Sequence, residues 1–246
     1  MALLGILVFV SGQTISQQLR VSSWDRPLDV VIYPVKGDNS IITTRYVDQL
    51  RRDDFAGIER FMRRQARDYG IEGDILRIRL APQSRSLPPD PPARGGFLQT
   101  VAYSLYLRAW AAWHDNRAYP ADIRIFVVYH DPDVTPEAPH SLALRKGMIG
   151  LVHAFADKSM QSTNNFVINH ELLHTLGATD KYDPDTNQPY YPEGLARPFQ
   201  KDPFHQKKAE IMGGRIPMGP WDAVMPGSLD EATIGSYTAL EIHWFN

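Results

Sequence analysis

The sequence predicts an α+β domain in which most of a twisted, mixed sheet precedes a helix that carries two histidines. Three observations predict this class. Four β-branched, apolar runs are typical of strands, two long segments with apolar residues at steps of three and four are typical of helices, and the histidine segment follows the last of these strands. The resulting order is strand, helix, strand, helix, strand, strand, helix, with a further helix near the end of the chain.

The four predicted strands are rich in Val, Ile, Leu and Phe and are bounded by turn residues. They are Pro27–Val35, Ile75–Leu80, Ile123–His130 and Gly147–Phe155. If the fourth strand lies at the edge of the sheet, an extended peptide could pair with its backbone near His153.

Thr43–Tyr69 and Phe97–His114 are the two predicted helices before the histidine segment. On the first, one face is crowded by the arginines Arg51, Arg52, Arg60, Arg63, Arg64 and Arg67. Such a face could contact anionic lipid, but we interpret it as solvated. The aromatic positions of the second helix are Tyr103, Tyr106, Trp110 and Trp113. Because aromatic residues at helical spacing usually belong to the core, we assign them to it.

Composition limits the chemistry of any site. A chain of 246 residues suits one sizeable domain, and a formal net charge of -2 does not favour nucleic acid as a partner. There is no cysteine, which excludes disulfides, thiolate metal sites and a cysteine nucleophile. A transition metal would therefore be held by histidine and carboxylate side chains.

Residues 1–24 form a separate segment in the sequence, before a single domain at 25–246. Ala2–Val10 is an unbroken apolar run, too short to span a bilayer but as long as the hydrophobic region of a signal peptide, and Gln13–Arg20 is a polar spacer. No Lys or Arg precedes the run, so a buried strand or helix is the alternative. We favour membrane targeting, and we expect a domain that is exported or anchored to the membrane outside the cytoplasm.

The stretch from Asn169 to Asp180 carries the strongest functional signal. On a helix, His170 and His174 lie one turn apart on the same face, so both imidazoles can reach one metal ion. Glu171 lies beside that face. Gly177 stands where a left-handed residue would end the helix, and Asp180 follows within reach of the same ion. We place the N-cap of this helix at Ser162 or Thr163, and its buried side comprises Phe166, Ile168, Leu172, Leu173 and Leu176.

Beyond Asp180 the chain loses its periodicity. Lys181–Lys208 is rich in Pro, Tyr, Asp and Lys, and we predict that this segment walls a cleft beside the metal. Asp183–Asn187 resembles the start of a calcium loop but lacks its later Gly and Glu, so we favour a solvated turn. Ser228–Glu231 has the spacing of a capping box and should begin the final helix.

The residues from His170 to Asp180 resemble the His-Glu-x-x-His-x-x-Gly-x-x-His/Asp motif of zincin metallopeptidases, more narrowly of the metzincins, with Asp in the third place as in snapalysin-like members. The resemblance implies that His170, His174 and Asp180 bind Zn²⁺ and leave a fourth position for water. It also implies that Glu171 is the general base of a peptidase that acts on a peptide or protein. Met212 would be the Met-turn under the ligands, with Met218 and Met225 as weaker candidates.

Three alternatives remain at this point. Glu193 lies at nearly the separation at which gluzincins provide a third ligand, although Pro192 and Gly194 beside it disfavour a helix. Two histidines and a carboxylate can also hold Fe(II) in an oxygenase, which leaves Glu171 without a role. From another functional class, a catalytically idle zincin-like domain could bind a protein or envelope partner.

Overall fold

The structure is a computed structural model that describes residues 20–84, 86–89, 91–92, 96–115, 118–145 and 147–245, without the side chains of 97 and 98. It contains a mixed five-stranded sheet in the order β2-β1-β3-β5-β4. The strands are β1 (Leu28–Lys36), β2 (Leu76–Leu80), β3 (Ile123–His130), β4 (Leu142–Leu144) and β5 (Ile149–Phe155). All neighbouring pairs are parallel except β4 with β5. The predicted α+β class is confirmed, as are four of these strands to within a few residues.

Both faces of the sheet are covered, which explains the unbroken apolar runs of its central strands. On β1, Val30 and Ile32 belong to one hydrophobic core, whereas Val31, Tyr33 and Val35 belong to the other. Four helices border the sheet. They are α1 (Ile41–Gln49), α2 (Ala56–Arg67), α3 (Phe97–His114) and α4 (Gln161–Leu176). Residues of α1, α2 and α4 lie in the first core, and residues of α3 lie in the second.

The strand that the sequence places at the edge of the sheet is internal. This strand, β5, pairs with β3 on one side and with β4 on the other. The edge is β4, three residues that the sequence does not distinguish from the polar loop around them. A three-residue strand is too short to show the alternation by which strands are predicted, so its pairing with Ile149–Leu151 becomes visible only in the sheet.

The first predicted helix is broken in two. Leu50 leaves the helical conformation at φ -56° and ψ 139°, and a short 3₁₀ turn at Arg52–Phe55 follows before α2 begins. The Asp54 carboxylate accepts a hydrogen bond from the backbone N–H of Arg51, which starts the new turn. The outward arginines form salt bridges with acidic neighbours: Arg52 with Glu59, Arg63 with Asp74, Arg64 with Asp230, and Arg67 with Glu72.

The assignment of all four α3 aromatics to the core is wrong for two of them. Tyr103 and Trp110 pack against the second core, but Tyr106 is 60% exposed and Trp113 is 87% exposed. A helix that lies on one face of a sheet buries a single stripe, and on α3 that stripe is centred on Leu107. Val101 and Leu105, off this stripe, are exposed as well.

The C-terminal part contains two small sheets and a short helix. These elements are β6 (Ala209–Glu210), β7 (Ile216–Gly219), β8 (Asp222–Val224), β9 (Ala232–Thr233) and α5 (Ser236–Glu241). The prediction that Ser228 begins the final helix is wrong. Ser228 caps a 3₁₀ turn only, because the next residues extend to pair with β6, and Gly235 is the N-cap of α5.

The apolar run at Ala2–Val10 lies outside the described residues, as does the chain up to residue 19. The described chain packs on the domain from its start. Arg20 forms a salt bridge with Asp122, Val21 is buried in the first core, and the Trp24 indole N–H donates to the Ile242 carbonyl at 2.8 Å. None of the helices in the described part of the chain has the length and apolar character that crossing a membrane requires.

Candidate metal centre

The histidine-bearing helix α4 begins earlier than the sequence indicates. Its first turn is preceded by a 3₁₀ turn at Lys158–Met160, which Asp157 caps by accepting a hydrogen bond from the Ser159 backbone N–H. The prediction of an N-cap at Ser162 or Thr163 is therefore wrong. The buried Asn164 side chain bonds to both the N–H and the carbonyl of Phe155 at the end of β5, so the helix is anchored to the strand before it.

The end of α4 matches the prediction at Gly177. Gly177 has φ +113°, a conformation that residues with a Cβ rarely adopt, and the following Ala178 N–H donates to the Leu173 carbonyl at 3.0 Å. The turn brings the Ala178 carbonyl within 2.8 Å of the His174 Nδ1 atom. It also reverses the chain so that Asp180 faces both imidazoles. The five apolar residues of α4 that were expected to be buried, from Phe166 to Leu176, are all buried.

Three side-chain atoms converge at the end of α4. His170 Nε2, His174 Nε2 and Asp180 Oδ1 are each 3.1 Å from the other two. Ligand atoms at neighbouring corners of a tetrahedral zinc site with bonds of about 2.0–2.1 Å stand roughly 3.3 Å apart. The three atoms therefore have a spacing suited to one small metal ion.

Both imidazoles are held in the tautomer that a metal requires. His170 Nδ1 lies 2.9 Å from the Ile211 carbonyl, and His174 Nδ1 lies 2.8 Å from the Ala178 carbonyl. Because a carbonyl oxygen can only accept, both Nδ1 atoms carry the proton. The Nε2 atoms are thereby left for what the site binds: a proton shared with Asp180 Oδ1 or, on a neutral ring, a metal ion. Backbone acceptors at Nδ1 typically impose this arrangement on metal-binding histidines.

The charges in this cluster favour a cation. Burial raises the pKa of Asp180, but hydrogen bonding to His170 and His174 lowers it by more. The pKa of Asp180 therefore lies well below its usual value. Burial lowers the pKa of His170, but Asp180 and Glu171 raise it by more. Two carboxylates thus surround two imidazoles, and the cluster attracts either a proton or a metal cation.

Glu171 lies beside the three converging atoms. Its side chain is buried, and its Oε2 atom makes no hydrogen bond to any described residue. Burial raises the pKa of Glu171, while His170 and His174 oppose that shift. A buried carboxylate oxygen with no donor is costly unless a water or substrate supplies one. Its raised pKa and its unpaired Oε2 atom therefore suit Glu171 to accepting a proton in the site.

The C-terminal helix holds the chain on both sides of Asp180. Glu241 of α5 accepts hydrogen bonds from the Thr179 backbone N–H at 3.0 Å and from the Thr179 hydroxyl at 2.6 Å. The same carboxylate forms a 2.6 Å salt bridge with Lys181, whose side chain is only 1% exposed. Asp180 is thereby fixed between two anchored neighbours, an arrangement for which the sequence carries no local signal.

Met212 lies in a buried 3₁₀ turn at Ile211–Gly213, next to the carbonyl that accepts the His170 proton. The Glu210 carboxylate holds this turn by accepting hydrogen bonds from the N–H groups of Met212 and Gly213. Its other oxygen accepts from Gly235 N–H and the Thr238 hydroxyl, which ties the turn to α5. Met212 is fully buried, whereas Met218 and Met225 are exposed.

A cavity of about 250 Å³ opens onto Glu171 and His170. Tyr182 and Asn187 are the residues of the Lys181–Lys208 segment that line it, so most of that segment does not wall the cleft as predicted. Its other walls include His153, Arg215 and Met225, on chain segments far apart in sequence. His153 Nδ1 is 2.9 Å from His130 Nε2. Of these lining residues, Tyr182 could have been expected from its place two residues after Asp180, but Arg215 has no sequence signal.

The other carboxylates considered from the sequence lie differently. Glu193 is exposed, and the carboxylate that contacts both imidazoles within the described chain is that of Asp180. The Asp183 carboxylate accepts hydrogen bonds from the N–H groups of Asp185 and Thr186, which makes this segment a tight turn.

Within the described chain, His170, Glu171 and His174 form a group whose ligand atoms lie within 4.8 Å of one another and could hold a metal ion. Asp180 Oδ1 adds a fourth donor atom to this group, at 3.1 Å from each of the two Nε2 atoms. No protein-family model matches the chain, and no curated protein matches it.

Proposed function

We propose that this chain is a zinc-dependent peptidase in which His170, His174 and Asp180 hold the metal. The observation that carries the proposal is the mutual 3.1 Å spacing of the three donor atoms. Both imidazole Nδ1–H groups donate hydrogen bonds to backbone carbonyls, so the two Nε2 atoms are left for the metal. Two nitrogens and one carboxylate oxygen are a donor set typical of catalytic zinc, which keeps a fourth position for water. The exposed side of Asp180 leaves room for that position.

The order of elements supports a metzincin-like fold. A sheet with a short edge strand precedes α4, and an irregular segment, a buried turn at Met212 and a C-terminal helix follow it. This order is the one that the resemblance of the His170–Asp180 motif implies. The hydrogen bond from His170 to Ile211 supports the assignment of Met212, because it joins the turn to a proposed ligand.

A bound zinc ion would lower the pKa of a water molecule and polarise the carbonyl of the scissile peptide bond. The protein's own contribution begins with Glu171, whose buried and unpartnered Oε2 accepts the proton of the attacking water. The raised pKa of Glu171 favours uptake of this proton. The protonated carboxyl then passes the same proton to the leaving amine. Tyr182 lines the same cavity, with its ring 6.4 Å from that of His170.

The test measures metal content and peptide cleavage on the same preparations. Wild type should contain zinc and cleave a mixed peptide library, whereas Glu171→Gln should keep the zinc and lose about 10²- to 10⁴-fold of the activity. Glu193→Gln is the matched control, because it makes the same change at an exposed glutamate, and it should retain full activity.

Two results would contradict the proposal. If zinc is bound but wild type and Glu171→Gln cleave equally little, the chain is instead a catalytically idle, zincin-like binding domain. If iron rather than zinc co-purifies and restores an oxidative reaction, the ligand set belongs to another enzyme class. Export or membrane anchoring through the N-terminal segment remains a prediction, which fractionation of cells that express the tagged full chain would test.

A further inference from the structure

A second cavity in the described part of the protein is separate from the proposed metal centre. It has a volume of about 500 Å³ and lies between α2, strand β9 and the second half of the irregular segment, residues 196–208. None of its lining residues also lines the cavity at Glu171. Its volume falls within the range of small-molecule sites in proteins, about 300–1,000 Å³.

The walls of this cavity are strongly basic. Four permanent cations line it, namely Arg64, Arg197, Lys207 and Lys208, whereas Asp68 is the one carboxylate among its lining residues. This local excess of positive charge stands out in a chain whose formal net charge is -2. His205 also lines the cavity, but Asp202 accepts a hydrogen bond from its Nδ1 atom at 2.7 Å.

Three of the four cations have no counterion in the described part of the chain. Arg64 forms a 3.2 Å salt bridge with the exposed Asp230, but no described carboxylate lies within salt-bridge distance of Arg197, Lys207 or Lys208. Two other arginines of α2 differ in this respect, because Arg63 and Arg67 each have an acidic partner. Like charges gathered around one cavity repel one another, and an anion bound among them removes that repulsion.

Two buried glutamines, Gln65 and Gln206, fix the walls of the cavity through hydrogen bonds. The Gln65 side-chain oxygen accepts hydrogen bonds from the Ile234 N–H at 2.6 Å and the Thr233 hydroxyl at 2.7 Å, so its amide NH₂ is the group left for the cavity. That NH₂ has one long hydrogen bond, 3.5 Å, to Asp68. On the opposite wall, the Gln206 side chain bonds to both the N–H and the carbonyl of Arg197, which fixes the backbone that carries this cation.

From these observations we infer that the cavity is a binding site for a phosphate-type oxyanion, held by Arg197, Lys207 and Lys208 with the Gln65 amide as a further donor. Guanidinium and ammonium groups form short, charge-assisted hydrogen bonds to phosphate oxygens. The phosphate group can belong to a soluble metabolite or to the headgroup of an anionic lipid. The site is independent of the metal centre and does not require the chain to be a peptidase.

The experiment measures binding of two probes to the full chain. Inorganic phosphate is titrated by calorimetry, and co-sedimentation compares vesicles of equal parts phosphatidylcholine and phosphatidylglycerol with vesicles of phosphatidylcholine alone. The variant Lys207→Ala/Lys208→Ala should bind the successful probe at least about tenfold more weakly, because two charge-assisted contacts are lost. Added salt should weaken wild-type binding.

The matched control is Lys158→Ala/Lys201→Ala, which removes the same charge from two exposed lysines outside the cavity. It should bind like wild type, and equal thermal unfolding midpoints should show that both double variants are folded. Phosphate binding that depends on the cavity lysines identifies a soluble ligand, and vesicle binding with the same dependence identifies a lipid headgroup. If wild type binds neither probe, or if the two double variants bind equally, the inference is wrong.

Discussion

Removal of the Glu241 carboxylate should lower both the stability of the domain and the affinity of its proposed metal site. Glu241→Ala leaves the Lys181 ammonium, 1% exposed, with hydrogen bonds to Thr179 alone, at 3.1 Å and 3.5 Å. Breaking a fully buried ion pair costs about 3–5 kcal/mol, and Glu241 is 30% exposed, so we expect about 2–3 kcal/mol. For a chain of this length, this corresponds to a fall of roughly 5–10 °C in the unfolding midpoint.

The same substitution releases the backbone on both sides of Asp180, because Thr179 and Lys181 both lose their acceptor. Partners outside the ligand shell typically contribute 10- to 100-fold to metal affinity. We therefore expect zinc to bind about tenfold more weakly to Glu241→Ala, measured by competition with a chromophoric chelator. Urea denaturation of the metal-free protein gives the stability term separately.

A double variant distinguishes the loss of the ion pair from the loss of the hydrogen bonds to Thr179. Lys181→Met/Glu241→Leu replaces the ion pair by apolar side chains, so it should recover stability to within about 1 kcal/mol of wild type. It cannot restore the hydrogen bonds to Thr179, so zinc affinity should stay low. If Glu241→Ala unfolds within about 0.5 kcal/mol of wild type and binds zinc equally well, the anchoring role assigned to Glu241 is wrong.

Three further predictions concern single positions. Asp180→Ala should weaken zinc binding more than about a hundredfold, the upper limit for an outer partner; unchanged zinc content would move the third ligand to another residue. Gly177→Ala should cost about 1–2 kcal/mol in urea denaturation because its φ is +113°. Gly219→Ala should be nearly neutral, because Gly219 lies outside the left-handed region and an added Cβ would meet no atom within 4 Å, and equal losses would contradict this. Burial raises the pKa of Asp115, but hydrogen bonds from Arg124 and Tyr33 lower it by more, so the net shift is downward from 3.8. Asp115 therefore stabilises the fold above that pH, and its contribution is lost as pH falls through the lowered folded-state pKa. Asp115→Asn should cost about 1–2 kcal/mol at neutral pH and nothing in strong acid, and a pH-independent loss would refute the assignment.

Local patterns were sufficient for most of the regular elements. The central strands could be predicted because both of their faces are buried, so their sequences are continuously apolar. The two histidines of α4 could be predicted to share a face because their spacing is one helical turn. Gly177 could be predicted to end that helix because only glycine adopts its conformation without strain.

Errors occurred where a local pattern competed with a distant contact. Ser228–Glu231 has the letters of a capping box, but pairing of Ala232 with Ala209 extends the chain and delays α5 to Ser236. On α3, apolar spacing predicts one buried face but cannot indicate how much of the helix the sheet covers, so Trp113 was misplaced. Strand β4 could not be predicted, because its three residues show no alternation and form a strand only by pairing with β5.

The sequence by itself determined that the candidate site has no thiolate donors, since the chain has no cysteine, and it determined the helix that presents two imidazoles. Only the tertiary structure decided that Asp180 rather than Glu193 faces both imidazoles, and that Ile211 holds the tautomer of His170 from 41 residues away. Only the tertiary structure decided that Glu241 anchors the segment around Asp180. The physical reason is that short-range periodicity encodes which face of an element is buried, whereas hydrogen bonds between distant segments depend on how those elements pack together.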